Sequence, residues 1–217
     1  SLRVASTDSP ARRVPAGRRG VEALTLSLEN PGVASLTSEI RVGALQVSLR
    51  DTNGVALTEP ARWIERIRLR SFLQTHVDRP LHEGDGAILL LEPSPQISLP
   101  VNAPLALMVE VDLREDAPPS ALQLVLGEPS TMTAIDANTR HPVPVHYGEP
   151  VLSGPFLLVE EPAPAPLLSG VDLLPPVVGA GRSDVQALRL VIHHPGAGGT
   201  ARARLDSLRI LARDELR

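Results

Sequence analysis

Apolar residues recur at every second position in short runs, and each run is cut off by residues that turn a chain. In Val21-Glu22-Ala23-Leu24-Thr25-Leu26-Ser27-Leu28, the residues Leu24, Leu26 and Leu28 share one face and Thr25 and Ser27 the other, because successive side chains of an extended strand point to opposite sides. The same pattern predicts strands over 40–49, 64–69, 87–91, 105–113, 121–126 and 185–192. Between them lie Asn30-Pro31-Gly32, Asp51-Thr52-Asn53-Gly54, Glu83-Gly84-Asp85-Gly86, Ala117-Pro118-Pro119-Ser120 and Asp136-Ala137-Asn138, all built from turn-forming residues. Many short, half-buried strands joined in this way predict an all-β fold, an antiparallel β-sandwich. Residues 60–70 open like a helix, with Pro60 in front of good helix formers. Strand geometry nevertheless gathers Ile64, Arg66, Arg68 and Arg70 on one side and Trp63, Glu65, Ile67 and Leu69 on the other. A helix leaves only a ragged apolar stripe, so a strand is expected here too.

An internal repeat sets the organisation. Residues 16–26 return as 180–190, at an offset of 164, and nine of seventeen positions are identical over residues 16–32. After a one-residue deletion the match resumes, with Arg41 facing Arg204, Leu45 facing Leu208 and Arg50-Asp51 facing Arg213-Asp214. Just ahead of the second copy, Glu161-Pro162-Ala163-Pro164-Ala165-Pro166 reads as a stiff, extended linker. The expected organisation is one full sandwich over 1–160, a proline-rich linker over 161–166 and a partial second copy of three strands over 167–217. Three strands with one apolar face are at the lower edge of stability, and they leave Leu188, Leu190 and Ile192 without an opposing sheet. Those three residues are expected to be covered by the first domain, by a neighbouring chain or by further residues of the parent protein.

The run from Val14-Pro15-Ala16-Gly17 through Leu24-Thr25-Leu26-Ser27-Leu28, then residues 40–51, resembles the opening strands of immunoglobulin-like repeats in bacterial surface and secreted proteins. Ile97-Ser98-Leu99 to Val109-Glu110-Val111-Asp112-Leu113, then residues 117–126 and Thr133-Ala134-Ile135-Asp136, is similar to their closing half. The resemblance implies a stalk, fibre, adhesin or accessory module, placed outside the cell or at its surface. It brings no catalytic residues with it.

What the chain lacks narrows its chemistry further. It has no cysteine, which removes disulfides, thiolate nucleophiles and cysteine-held metals. All 21 basic residues are arginine, which removes Schiff-base chemistry and a phosphate-loop lysine. Trp63, Tyr147, Phe72 and Phe156 are the only aromatic residues, so stacking on a glycan or on bases is disfavoured. A formal charge of -4 without a block of like charge argues against a nucleic-acid partner. No apolar run approaches the roughly 20 residues of a membrane helix, so membrane insertion is not expected. Serines and histidines sit in no nucleophile elbow or metal signature, and neither an enzyme nor a cofactor is expected.

A few residues remain as candidate sites. His141 with His146, and His193 with His194, carry imidazoles that suit transition metals, but residues one or five apart on a strand point to opposite faces. Asp51 and Asn53, echoed by Asp136 and Asn138, open like a calcium loop but lack its closing glutamate; Asn53-Gly54 is also a hairpin-turn signature. His82, Glu83 and Asp85 form a loop that could join such a site. Arg66, Arg68 and Arg70, with Arg62 nearby, could engage an acidic partner, or pair across strands with Glu110 and Asp112. The role expected is a non-catalytic structural or adhesive module of an extracellular assembly, associating with itself through strand pairing or with neighbouring domains of the same protein. The alternative is an accessory module that binds carbohydrate or protein for a larger secreted protein.

Overall fold

The structure, a computed structural model, describes residues 1–33, 36–72, 74–127, 131–161, 167–172 and 188–193. Among these the chain is all-β apart from short 3-10 turns, one of them Pro60–Arg62. The strands before that turn are β1 (Leu2–Ser6), β2 (Arg12–Pro15), β3 (Val21–Glu29) and β4 (Ile40–Arg50). After it come β5 (Ile64–Arg70), β6 (Thr75–Pro80), β7 (Ile88–Leu91), β8 (Ile97–Leu99), β9 (Leu105–Leu113), β10 (Ser120–Leu126) and β11 (Met132–Asp136). The last are β12 (Val145–Tyr147), β13 (Leu152–Ser153), β14 (Leu157–Glu160), β15 (Leu167–Asp172) and β16 (Leu188–His193). No described helix is long and apolar enough to cross a membrane. The chain divides into two units, Ser1–Pro162 and Ala163–Arg217.

The first unit is a β-sandwich. One sheet runs β12-β1-β3-β9-β5-β6. The other runs β11-β4-β10-β14-β2, with β7 and β8 also on β4 and β13 on β10. The 11-residue β4 organises this second sheet: β10 and β11 follow each other along one of its edges and β7 and β8 along the opposite edge. The core is the set of side chains that alternation turns inward: Leu24, Leu26 and Leu28 of β3, Leu107, Val109 and Val111 of β9, Leu45, Val47 and Leu49 of β4, and Leu122, Leu124 and Leu126 of β10. All of these are at most 1% exposed. Complete burial of each such side chain contributes about 1.5–3 kcal/mol, enough for a core with so few aromatics.

Two expectations need correction. The sandwich is mixed, because β1 pairs parallel with β12 and β2 parallel with β14. The chain's opening segment is shared between the two sheets, and in each it meets a late strand running in its own direction. Ile64 does not join the arginines either. It is 1% exposed and turned inward with Ile67 and Leu69, because a register shift between Ile64 and Arg66 sets Glu65 outside the ladder and changes the face of the residue before it.

In the second unit β15 and β16 form an antiparallel pair, with Leu168 opposite Ile192 and Gly170 opposite Leu190. Leu188 and Ile192 are 44% and 47% exposed, and Leu190 is partly buried. The third expected strand, near 204–214, and the linker prolines at 162–166 lie outside the described residues.

Candidate interaction surfaces

The three arginines of β5 lie between two strands that carry carboxylates. Arg68 donates to Asp112 Oδ1 at 2.9 Å through Nη1 and to Oδ2 through Nη2. Arg70 Nη1 reaches both oxygens of Glu110, at 3.0 and 3.1 Å. Arg66 donates to Asp78 of β6 at 2.7 Å, and Arg68 Nε lies 3.5 Å from the same carboxylate. Three guanidiniums thus meet three carboxylates in a ladder across β6, β5 and β9. Arg68 and Asp112 face each other across one rung only diagonally, Arg66 being the register partner of Asp112; long side chains reach such diagonal neighbours readily. Most of the ladder's charge is spent internally, leaving little field to attract an anion. Arg62 stands apart, its guanidinium carbon 5.6 Å from the Trp63 ring centroid.

The calcium candidates are occupied by turn formation. Asp51 Oδ1 accepts the backbone N–H groups of Asn53 and Val55, at 2.8 and 2.9 Å, while Gly54, at φ +77°, takes the left-handed position of the turn. Asp136 Oδ1 accepts from Asn138 N and Thr139 N at 3.0 and 2.8 Å, and its Oδ2 accepts the Ser38 hydroxyl. Asp85 is divided between Arg79 and the His82 N–H. His141 and His146 are both exposed, the first just past the turn at 137–139 and the second on β12; His193 ends β16, and His194 lies outside the described residues. Among the described residues no group of three or more His, Asp or Glu is arranged to hold a metal ion.

The Ser38 hydroxyl, the Thr139 and Asn138 N–H groups and the Thr139 hydroxyl together hold the Asp136 carboxyl at about 2. A carboxyl depressed in the folded state contributes stability above its unfolded value and loses it as pH falls through the folded one. The Asp136 carboxyl carbon is therefore expected to titrate near pH 2 by NMR, and Ser38→Ala to move that midpoint up toward the ordinary carboxylate range. An unchanged midpoint in the variant would show that Ser38 is not the cause.

Two features gave no signal in the sequence. One is a cleft of about 440 Å³ whose charged lining is Glu59, Arg62, Glu83, Asp85, Arg114 and Asp116. The Arg114 hydrogen bond at 2.9 Å holds the Asp116 carboxyl below its usual range. Asp51, Asp112 and Asp136 are shifted down as well, which is the opposite of what a general acid at neutral pH requires. The other is the outer face of β7, where Ile88 and Leu90 are 65% and 38% exposed beside Ser48 and Gln46 of β4. Ile88-Leu89-Leu90-Leu91 is apolar on both faces, so its alternation is silent.

No protein-family model matches the sequence, and no curated protein matches it. Among solved structures the chain is similar to AvmM, which catalyses macrocyclization in alchivemycin A biosynthesis, at 11% identity and a TM-score of 0.35, over 92% of this chain and 91% of that one. It is also similar to a family 123 glycoside hydrolase from Clostridium perfringens, at 7% identity and a TM-score of 0.31, over 71% of this chain and 23% of the hydrolase. Scores this low establish neither a shared fold nor a shared activity.

Proposed function

We propose that this chain is a non-catalytic, immunoglobulin-like β-sandwich module of an extracellular or cell-surface assembly, associating with copies of itself through strand pairing. The strand order supports the immunoglobulin-like reading. The neighbours β1-β3-β9-β5 and β4-β10-β14 follow the two sheet orders of that fold, with β7 and β8 at the place of the strand that variable-type domains add. The β5–β6 hairpin departs from the pattern, since it precedes β7 in the chain. The observation that carries the functional reading is apolar exposure on strands that are sheet edges among the described residues: Ile88 at 65% on β7 and Ile192 at 47% on β16. An edge strand with bare apolar side chains is a template for another strand.

Light scattering of the full chain at rising concentration is expected to report masses above the 23.1 kDa of one chain. Ile88→Lys with Leu90→Lys is expected to weaken that association at least tenfold, since charge on an exposed edge opposes pairing. A mass fixed at 23.1 kDa across the whole range overturns the reading.

A further inference from the structure

The hairpin turn that closes β4 carries a chemically labile pair. Asparagine is among the less durable side chains, and Asn53 is followed by Gly54, both of them exposed. The side-chain carbonyl carbon of an asparagine and the main-chain nitrogen of the next residue can close a succinimide ring, and a Cβ on that next residue stands in the way. Gly54 has no Cβ, and the space one would take is open, with nothing within 4 Å. The Asn53 amide is held only lightly. Its Nδ2 donates to Asp51 Oδ2 at 3.5 Å, and among the described residues its Oδ1 has no hydrogen-bond partner.

The other three asparagines of the chain lack this combination. Asn30 is 1% exposed and precedes Pro31, whose nitrogen carries no proton to give up. Asn102 precedes Ala103, and Asn138 precedes the β-branched Thr139, whose N–H is donated to Asp136 Oδ1 at 2.8 Å. What restrains Asn53 is the turn itself. Gly54 N–H donates to the Asp51 carbonyl at 3.0 Å, and Asp51 Oδ1 accepts from Asn53 N and Val55 N at 2.8 and 2.9 Å. The ring closes only when the Gly54 nitrogen is free of that hydrogen bond, which requires the turn to open locally.

We propose that Asn53 is a modification site of this chain, a centre of spontaneous deamidation held back by the Asp51 turn. With the turn open, the Gly54 nitrogen attacks Asn53 Cγ. The N–Cγ bond forms as the Cγ–Nδ2 bond breaks, and ammonia leaves with the proton that the Gly54 nitrogen gives up. Water then opens the succinimide. Addition at Cγ breaks the new bond and leaves aspartate at position 53. Addition at the Asn53 main-chain carbonyl breaks its bond to the Gly54 nitrogen and leaves isoaspartate, with the chain running through the side chain. Solvent water is the co-reactant, and nothing is oxidised or reduced. Isoaspartate lengthens the main chain by a methylene inside the turn. The return of the hairpin is registered on β4 by Leu57 N–H on the Leu49 carbonyl at 2.8 Å and by the bridge between Arg50 and Ala56. That register loosens, while the core strands stay paired.

The full chain is incubated at mildly alkaline pH and then cut after arginine, which releases Asn53 within residues 51–62. Mass spectrometry is expected to find the amide replaced by an acid in that peptide first, as aspartate and isoaspartate, with Asn30, Asn102 and Asn138 still intact. Asp51→Ala is expected to speed the native conversion about two- to tenfold, the effect of losing one or two of the hydrogen bonds that close the turn. In denaturing urea the two proteins are expected to convert at one common rate, faster than the native chain. The aged isoaspartate form is expected to lose hydrogen-exchange protection at Leu57 and to keep it on β9. Conversion at Asn102 or Asn138 ahead of Asn53 would overturn the site. A native rate unchanged or slowed by Asp51→Ala, or raised by the same factor in urea, would overturn the control by the turn. Full protection of Leu57 in the isoaspartate form would overturn the effect on register.

Discussion

Gly154→Ala is expected to leave the first unit unfolded, or destabilised by more than about 3 kcal/mol, well beyond the usual effect of one added methyl group. A Cβ at this position would lie 1.7 Å from the carbonyl oxygen of Ala23, 2.7 Å from its carbonyl carbon and 3.0 Å from the Cα of Leu24. These are backbone atoms of β3, not the tip of a side chain, so no rotamer change can clear the space. Gly154 cannot withdraw either: its N–H donates to the carbonyl of Leu124 at 3.0 Å, and Gln123 Nε2 donates to its carbonyl at 2.9 Å. The glycine marks the point between β13 and β14 where the closing strand passes against the opposite sheet. Gly127→Ala is the control, because its nearest neighbour would be Thr131 Cγ2 at 3.8 Å. That variant is expected to keep its urea midpoint, or to gain up to about 1 kcal/mol from the stiffer unfolded chain. Coincident midpoints for the two variants would refute this account of Gly154.

Nothing in the sequence around Gly154 announces this contact, because it depends on what lies across the sandwich. The strands legible in the sequence are those whose two faces meet different surroundings. Leu24, Leu26 and Leu28 face the core while Thr25 and Ser27 face outward, and the alternation records that difference. At Ile88–Leu91 both faces are apolar, so the residues identify a strand without showing that one side is exposed. At Ile64 the alternation misleads, since the register shift beside Arg66 is a property of the pairing with β9. The short strands β2 and β12 are held by parallel pairing between the two ends of the first unit, which local pattern does not carry. The repeat behaves similarly. Ala16-Gly17-Arg18 and Ala180-Gly181-Arg182 declare it openly, whereas Arg3, Val4, Ala5 and Ser6 match Leu167, Leu168, Ser169 and Gly170 at no aligned position. Only the register of the two ladders, β1 with β3 and β15 with β16, links those strands. The arginine ladder was legible as far as Glu110 and Asp112, which alternate on β9; Asp78 was not, because β6 is a polar strand that ends in Pro80.

Arg68→Met is expected to destabilise the first unit by about 3–5 kcal/mol at pH 7, the usual range when one partner of a buried ion pair is removed. Asp112 is 3% exposed, and its carboxylate is held by the two Nη groups of Arg68 and by the Gly20 N–H at 2.8 Å. Without the guanidinium, one backbone donor remains for a buried charge. Asp112→Ala is expected to cost less, about 2 kcal/mol, because Arg68 keeps some access to solvent and still lies near Asp78. Replacing both at once, by Arg68→Met with Asp112→Leu, is expected to recover most of the loss, since apolar packing can substitute for a buried pair. The pH dependence separates loss of the ion pair from loss of packing. In the native protein burial pushes the Asp112 carboxyl up, but the hydrogen bonds from Arg68 and Gly20 and the charges of Arg68 and Arg19 outweigh it and hold the carboxyl below its ordinary value. Its contribution is therefore fully present at neutral pH, and is lost as pH falls below the ordinary carboxylate value and on through the depressed folded one. In Arg68→Met, burial is left with little opposition and the carboxyl rises above its unfolded value. The sign then reverses, and the variant recovers stability relative to the native protein as pH falls from 7 to 5. Urea midpoints of the two proteins at pH 7 and pH 5 decide the matter: a stability gap that stays constant, or widens on acidification, would mean that Arg68 acts through its packing and not through its charge on Asp112.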